Sequence, residues 1–196
     1  IGTRRRPGSD PPADDLFGLV SPDGLRWRLM QQNPIIRGPE GDLMFDSHNT
    51  VLWDSAREQY VIYARSWPGG WPGGTRGIRR YVSTDFRNWS KPKTLDLWKD
   101  SEKDHLYKNA ATPYYRRPDI LLMFPKRFMI KRRSPDPKWK IGGLSDIVFM
   151  SSRDGIHWDR RFREAFMRPG RDQLNWHDRA IEVGPGLVPT GEGEMS

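Results

Sequence analysis

Apolar positions in this chain recur in short alternating runs, each closed by Gly, Pro, Asp or Asn. "TVLWD" (residues 50–54), "YVIYA" (60–64), "GIRRYVS" (77–83), "ILLMF" (120–124) and "SDIVFMS" (145–151) are five to seven residues long and rich in β-branched and aromatic side chains. Runs of that length and make-up predict strands, and polar turns such as "DSARE" (54–58) predict hairpins between them. No apolar run reaches the 18 residues that a membrane-spanning helix would need.

The runs are phased by a repeated motif. "SPDGLRW" (21–27), "STDFRNW" (83–89) and "SSRDGIHW" (151–158) lie 62 and then 68 residues apart, counted from Ser21, Ser83 and Ser151. A tight turn needs no Trp at a set offset, so the recurrence predicts one structural unit used repeatedly, and a strand-filled period this long predicts propeller blades. Each motif is expected to be the hairpin between the third and fourth strands of a blade. Asp23, Asp85 and Asp154 would accept turn N–H groups, Gly24 and Gly155 would supply positive φ, and Trp27, Trp89 and Trp158 would cover the junction between blades. Phe86 stands where the other copies have Gly, so the middle turn is expected to differ.

This phasing predicts an all-β chain, a five-bladed β-propeller present in part. Residues 1–15 read as a disordered or linker-like lead, 16–40 as a blade end, 41–98 and 99–168 as two complete blades, and 169–196 as the start of another. Partial blades at both ends predict a piece of a larger propeller.

Composition changes the picture in three ways. Thirty per cent charged residues with 12% aromatic, nine of them Trp, describe a folded chain with a polar surface. The absence of Cys excludes disulfides and thiolate metal sites and leaves the compartment open, with an extracellular or periplasmic parent favoured. A net charge of +8 admits an anionic partner, but the basic residues are dispersed and no nucleic-acid-binding signature accompanies them, so neither nucleic acid nor membrane is expected as a partner. Oligomeric state is left open.

In a propeller the first strand of each blade lines the central channel, so equivalent positions converge on one funnel. Three acids fall at or beside such positions: Asp46 in "FDSHN", Asp104 in "DHLYKN", and Asp178 or Glu182 in "WHDRAIEVGP". Paired carboxylates from different blades are what glycoside hydrolysis requires. His48, Asn49, Tyr107, Asn109, Trp176 and His177 surround these acids and suit sugar hydroxyls and ring faces. Four His without an H-E-x-x-H arrangement predict no metal site, and "WPGGWPGG" (67–74) lacks the Lys-Ser/Thr of a phosphate loop, so no cofactor is expected.

The strings "FDSHNTVLWD", "KNAATPYY", "LMFPKRF", "SDIVFMSSRDGIHWDRRFREAFMRPG" and "GLVPTGEGEMS" resemble a bacterial, planctomycete-type group related to the five-bladed propeller glycoside hydrolases of families 32 and 43. The likeness runs from about residue 15 onward. It implies Asp46 as base or nucleophile, Asp104 as the orienting acid and Glu182 as proton donor. The family 43 pattern has Glu directly before Gly-Pro, whereas Val183 intervenes here; Glu194, in "EMS", is the alternative acid. Arg127, Arg153, Arg168 and Arg179 are available for an acidic sugar. The function expected is a glycoside-hydrolase-like action on a poly- or oligosaccharide. The alternatives are a non-catalytic carbohydrate-binding (lectin- or sialidase-like) propeller and a protein-interaction propeller.

Overall fold

The structure, a computed structural model, describes all residues except 9, 11–12, 40–44, 46, 71–72, 98–103, 134–141 and 171–178. The described residues form strands and turns with no helix. The first group comprises β1 (Gly2–Arg5), β2 (Asp14–Phe17), β3 (Leu19–Val20), β4 (Arg28–Leu29) and β5 (Ile36–Arg37). β1, β2 and β5 make one antiparallel sheet, and β3 pairs with β4. Next come β6 (Thr50–Asp54), β7 (Gln59–Ser66), β8 (Gly77–Ser83) and β9 (Lys93–Thr94), a four-stranded antiparallel sheet in chain order. The third group is β10 (His105–Tyr107), β11 (Thr112–Tyr114), β12 (Arg117–Met123), β13 (Lys126–Met129), β14 (Leu144–Ile147) and β15 (Met150–Ser152). It forms two sheets, β10-β13-β14 and β11-β12-β15. A hairpin of β16 (Pro189–Gly191) and β17 (Glu194–Met195) follows.

The middle sheet is apolar on both faces because both are covered. Successive side chains on a strand point to opposite faces, so odd and even positions of β7 enter different cores. Val61 and Tyr63, with Ile78 of β8, pack against Leu106, Leu121, Met123, Val148, Met150 and Trp158 of the third group. Ile62 and Ala64, with Tyr81, pack against Leu16, Ile35, Ile36 and Phe45 of the first. Each fully buried aromatic or aliphatic side chain contributes about 1.5–3 kcal/mol, so these two layers hold the three groups together.

The repeated motif forms the same turn three times. Asp23 Oδ1 accepts from the N–H groups of Leu25 (2.9 Å) and Arg26 (2.8 Å), Asp85 Oδ1 from Arg87 (2.8 Å) and Asn88 (2.7 Å), and Asp154 Oδ1 from Ile156 (2.8 Å) and His157 (2.7 Å). The serine that completes the third copy is Ser152, one position later than the count from Ser151, and its hydroxyl donates to Asp154 Oδ1 at 3.1 Å. The middle turn differs by one bond: Ser21 Oγ accepts from Gly24 N–H at 2.8 Å and Ser152 Oγ from Gly155 N–H at 2.9 Å, but Ser83 Oγ accepts from Asp85 N–H and makes no such bond to Phe86. Phe86 nonetheless takes the backbone of the glycines. Its φ of 62° matches 74° at Gly24 and 71° at Gly155. Its ring makes edge contacts with Tyr60 (5.0 Å) and Trp89 (5.5 Å), contacts that offset the left-handed backbone a non-glycine residue resists.

Two further expectations change. The lead is not linker-like where it is described, because β1 pairs with β2 from Gly2↔Phe17 to Arg5↔Asp14. Arg5 meets Asp14 at 2.6 Å and Arg6 meets Asp15 at 2.5 Å, charge pairs that composition alone does not reveal. The strand that pairs with β12 is β11; β10, which follows Asp104, joins β13 in a separate sheet.

Candidate functional site

Beyond the ends of β10 and β12, lysines from two segments converge on one carboxylate. Lys126, the first residue of β13, donates to Glu182 Oε1 at 2.6 Å, and Lys108 donates to Glu182 Oε2. Their surroundings differ: the Lys126 side chain is 8% exposed and that of Glu182 is 46% exposed.

Local sequence builds the lysine pair. Lys108 (φ 52°) and Ala110 (φ 45°) both take left-handed backbone in the turn between β10 and β11. Asn109 between them is buried and locks that turn. Its Nδ2 donates to the Tyr63 carbonyl at 3.0 Å, its Oδ1 accepts from Ala111 N–H at 3.0 Å, and its carbonyl accepts from Phe124 N–H at 3.0 Å. The clamp ties the turn to β7 and to the end of β12, two residues before Lys126. Asn109 therefore spends its amide positioning Lys108.

His48 lies within electrostatic reach of Lys108 and Glu182. Burial and the Lys108 ammonium lower its pKa, with Glu182 partly opposing them, so the imidazole is neutral near pH 7. Burial acts to raise the Glu182 carboxyl, but hydrogen bonds from Lys108 and Lys126 outweigh it and hold the group below the usual carboxylate range. The two ammonium groups thus keep Glu182 ionised at neutral pH. Beside His48, Asn49 Nδ2 donates to the carbonyls of Phe45 (3.2 Å) and Ser47 (2.9 Å). Ser47 Oγ, Asn49 Oδ1 and Thr50 Oγ1 are buried without hydrogen-bond partners among the described residues.

Asp104 belongs to a neighbouring set of ion pairs. It accepts from Arg160, a buried guanidinium. Arg127 forks onto Asp146 at 2.8 and 2.6 Å and donates to the Arg163 carbonyl at 3.1 Å, joining β13 to β14 and to the segment that follows β15. The Asp146 hydrogen bond, opposed by burial and aided by the charges of Asp146 and Asp104, raises the Arg127 pKa. His105 Nδ1 accepts from Arg76 N–H at 3.2 Å, and the Arg76 guanidinium lies over Trp67 (4.8 Å) and Phe128 (5.2 Å).

The expected site residues thus divide. Glu182 meets Lys108 and Lys126, His48 lies within reach of their charges, and Asn49 and Asn109 support the turns nearby. Asp104 and Arg127 form the adjoining ion-pair set. The Arg179 carbonyl accepts from Ser145 N–H at 2.9 Å, tying its segment to β14. Arg153 lies at the other end of β12, 3.7 Å from Asp119, with its carbonyl accepting from Arg57. Glu194 is exposed in β17. Asp46, Trp176, His177 and Asp178 lie outside the described residues, as does the side chain of Tyr107.

Sequence reasoning missed Lys108 and Lys126, although both stand in strings it singled out, "KNAATPYY" and "LMFPKRF". Strand starts would have found the first. Asp46 stands four positions before β6, and the residue four positions before β11 is Lys108, not Asp104.

No protein-family model matches the chain, and no curated protein matches its sequence. Among solved structures it is similar to an N-acetylgalactosamine deacetylase from F. plautii in complex with blood group B trisaccharide, with a TM-score of 0.51 and 16% identity over 71% of this chain and 34% of that one. A chain described as a glycoside hydrolase matches with a TM-score of 0.44 and 16% identity, over 82% of this chain and 45% of that one. The first likeness is one of fold, and this chain spans about a third of that structure's length.

Proposed function

We propose that this chain is part of a β-propeller that acts on or binds a poly- or oligosaccharide, with the His48–Lys108–Lys126–Glu182 cluster at the mouth of its funnel. The observation that carries the reading is the convergence of Lys108, Lys126 and Glu182 from three separate segments, on a fold shared with a glycan-bound enzyme. Three face-to-face sheet groups and one hairpin repeated in each support the propeller.

In the hydrolytic form of the proposal, Asp46 is the base or nucleophile, on the strength of its position four residues before β6. Asp104 acts indirectly, by holding Arg160 and biasing Arg127. Glu182 is an anchor for the lysines and not the proton donor, since both ammonium groups favour its ionised form. That same ionisation favours a second reading, a carbohydrate-binding propeller without turnover.

The test is a glycan array together with reducing-sugar release, run on the protein and on its Asp46→Asn variant. Release that Asp46→Asn lowers by at least about a hundredfold supports hydrolysis. Binding with no release supports the second reading. Neither binding nor release across neutral and acidic glycans overturns both.

A further inference from the structure

Two lysines already hold a carboxylate here, one ammonium on each oxygen. We propose that Lys108 and Lys126 form a subsite for the carboxylate of a uronic acid residue in a glycan, and that Glu182 is a built-in occupant which the ligand displaces. The proposal rests on the carbohydrate reading above and adds the charge class of the sugar.

The two partners are anchored unequally. Lys126 opens a paired strand and is nearly buried, and Lys108 is set by a turn clamped through Asn109 to β7 and β12. Glu182 stands on residues 180–188, which form no strand, and its side chain is almost half exposed. The cations are the fixed element and the carboxylate is the exchangeable one.

A uronate presents the same group as a glutamate side chain: planar, singly charged, with two oxygens to share between two donors. A neutral sugar offers no such group. His48, within reach of the Lys108 charge and itself uncharged at neutral pH, adds no competing cation. The chain's net charge of +8 favours the approach of an acidic polymer.

The experiment is isothermal titration of the protein with trigalacturonate, its methyl ester, and neutral galactotriose, on wild type and on Glu182→Gln, Lys108→Ala and Lys126→Met. The acid is expected to bind on the order of tenfold tighter than its ester, the worth of a charge-assisted contact. Glu182→Gln is expected to tighten the acid further and leave the ester unchanged. Lys108→Ala, at the more exposed lysine, is expected to erase the preference; it keeps the test decisive if Lys126→Met does not fold. Equal affinity for acid and ester, or weaker acid binding in Glu182→Gln, overturns the subsite while leaving the carbohydrate reading standing. Failure of all three sugars to bind overturns the subsite, while the carbohydrate reading itself stands or falls on the glycan array.

Discussion

The first and third copies of the Ser-x-Asp hairpin are alike inside and opposite outside. Both fold around an Asp whose Oδ1 accepts two backbone N–H groups, and both have a glycine near φ +70°. Yet Trp27 is 58% exposed and Trp158 is 9% exposed. Trp27 donates to its own turn, Nε1 to the Gly24 carbonyl at 3.0 Å. Trp158 makes no such bond; it packs edge-on to Tyr63 at 5.7 Å, while the Tyr63 hydroxyl donates to the Gly155 carbonyl at 2.9 Å. The turn is a local object, and the burial of its Trp is decided by the sheet beside it. In each case where the Trp is covered, the cover comes from the preceding group: Trp158 lies on the middle sheet and Trp89 on the core shared with the first.

That contrast breaks most visibly by truncation. Trp158→Ala is expected to cost about 3–5 kcal/mol, the usual range for emptying a large buried aromatic site. Trp27→Ala should stay within about 0.5 kcal/mol. Urea unfolding of both variants measures the difference, and equal losses would refute the view that the neighbouring sheet sets the value of the Trp.

Glycine substitution probes the same pair from the backbone side. A Cβ at Gly24 meets nothing within 4 Å, whereas one at Gly155 lies 2.6 Å from the Tyr63 hydroxyl and 3.1 Å from Leu121. Gly24→Ala should therefore cost only the left-handed backbone term, about 1–2 kcal/mol, and Gly155→Ala about 1–3 kcal/mol more. Thermal unfolding of the two proteins checks the order.

The middle copy gives a smaller effect. Phe86→Gly relieves about 1–2 kcal/mol of backbone strain and removes two ring contacts worth about 0.5–1.5 kcal/mol each along with the buried area of the ring, for a net loss of about 1 kcal/mol. A stabilised variant would mean that the ring contacts are idle.

Acid titration should separate the copies least. Hydrogen bonds from the turn hold Asp23 and Asp85 below the usual range; at Asp154 burial opposes the shift, and bonds from His157 and the turn overcome it. A carboxyl lowered by folding stabilises the protein fully above the unfolded value of about 3.9, and that contribution is lost as pH falls through the lower folded value. Carboxyl chemical shifts followed by NMR should put all three aspartates below model peptides. Asp23 titrating normally would show that the neighbouring sheet, and not the turn, sets the shift.

Much of this architecture was legible in advance because strands and turns announce themselves locally. The run "YVIYA" predicted a strand, which forms as part of β7, and the three Asp turns formed where the motif put them; that β7 is covered on both sides only the packing shows. The site was less legible. Asp104 stands beside the run read as the first strand of its blade, but β11, the strand that pairs with β12, begins after a clamped turn that only the Asn109 contacts reveal. Lys108 and Lys126 are 18 positions apart in sequence, and nothing in either stretch announces that Glu182 will lie between their ammonium groups.

By itself, then, the sequence determined what depends on neighbours along the chain: the alternation that makes strands, the carboxylates that close the turns, and the recurrence of the hairpin. Tertiary structure alone decided which Trp is buried, which β-strand the first half of the third group pairs with, and which charges meet. The physical reason is range. Backbone sterics and turn hydrogen bonds act over three or four residues, whereas burial and ion pairing depend on groups that come within a few ångströms only after the sheets have stacked.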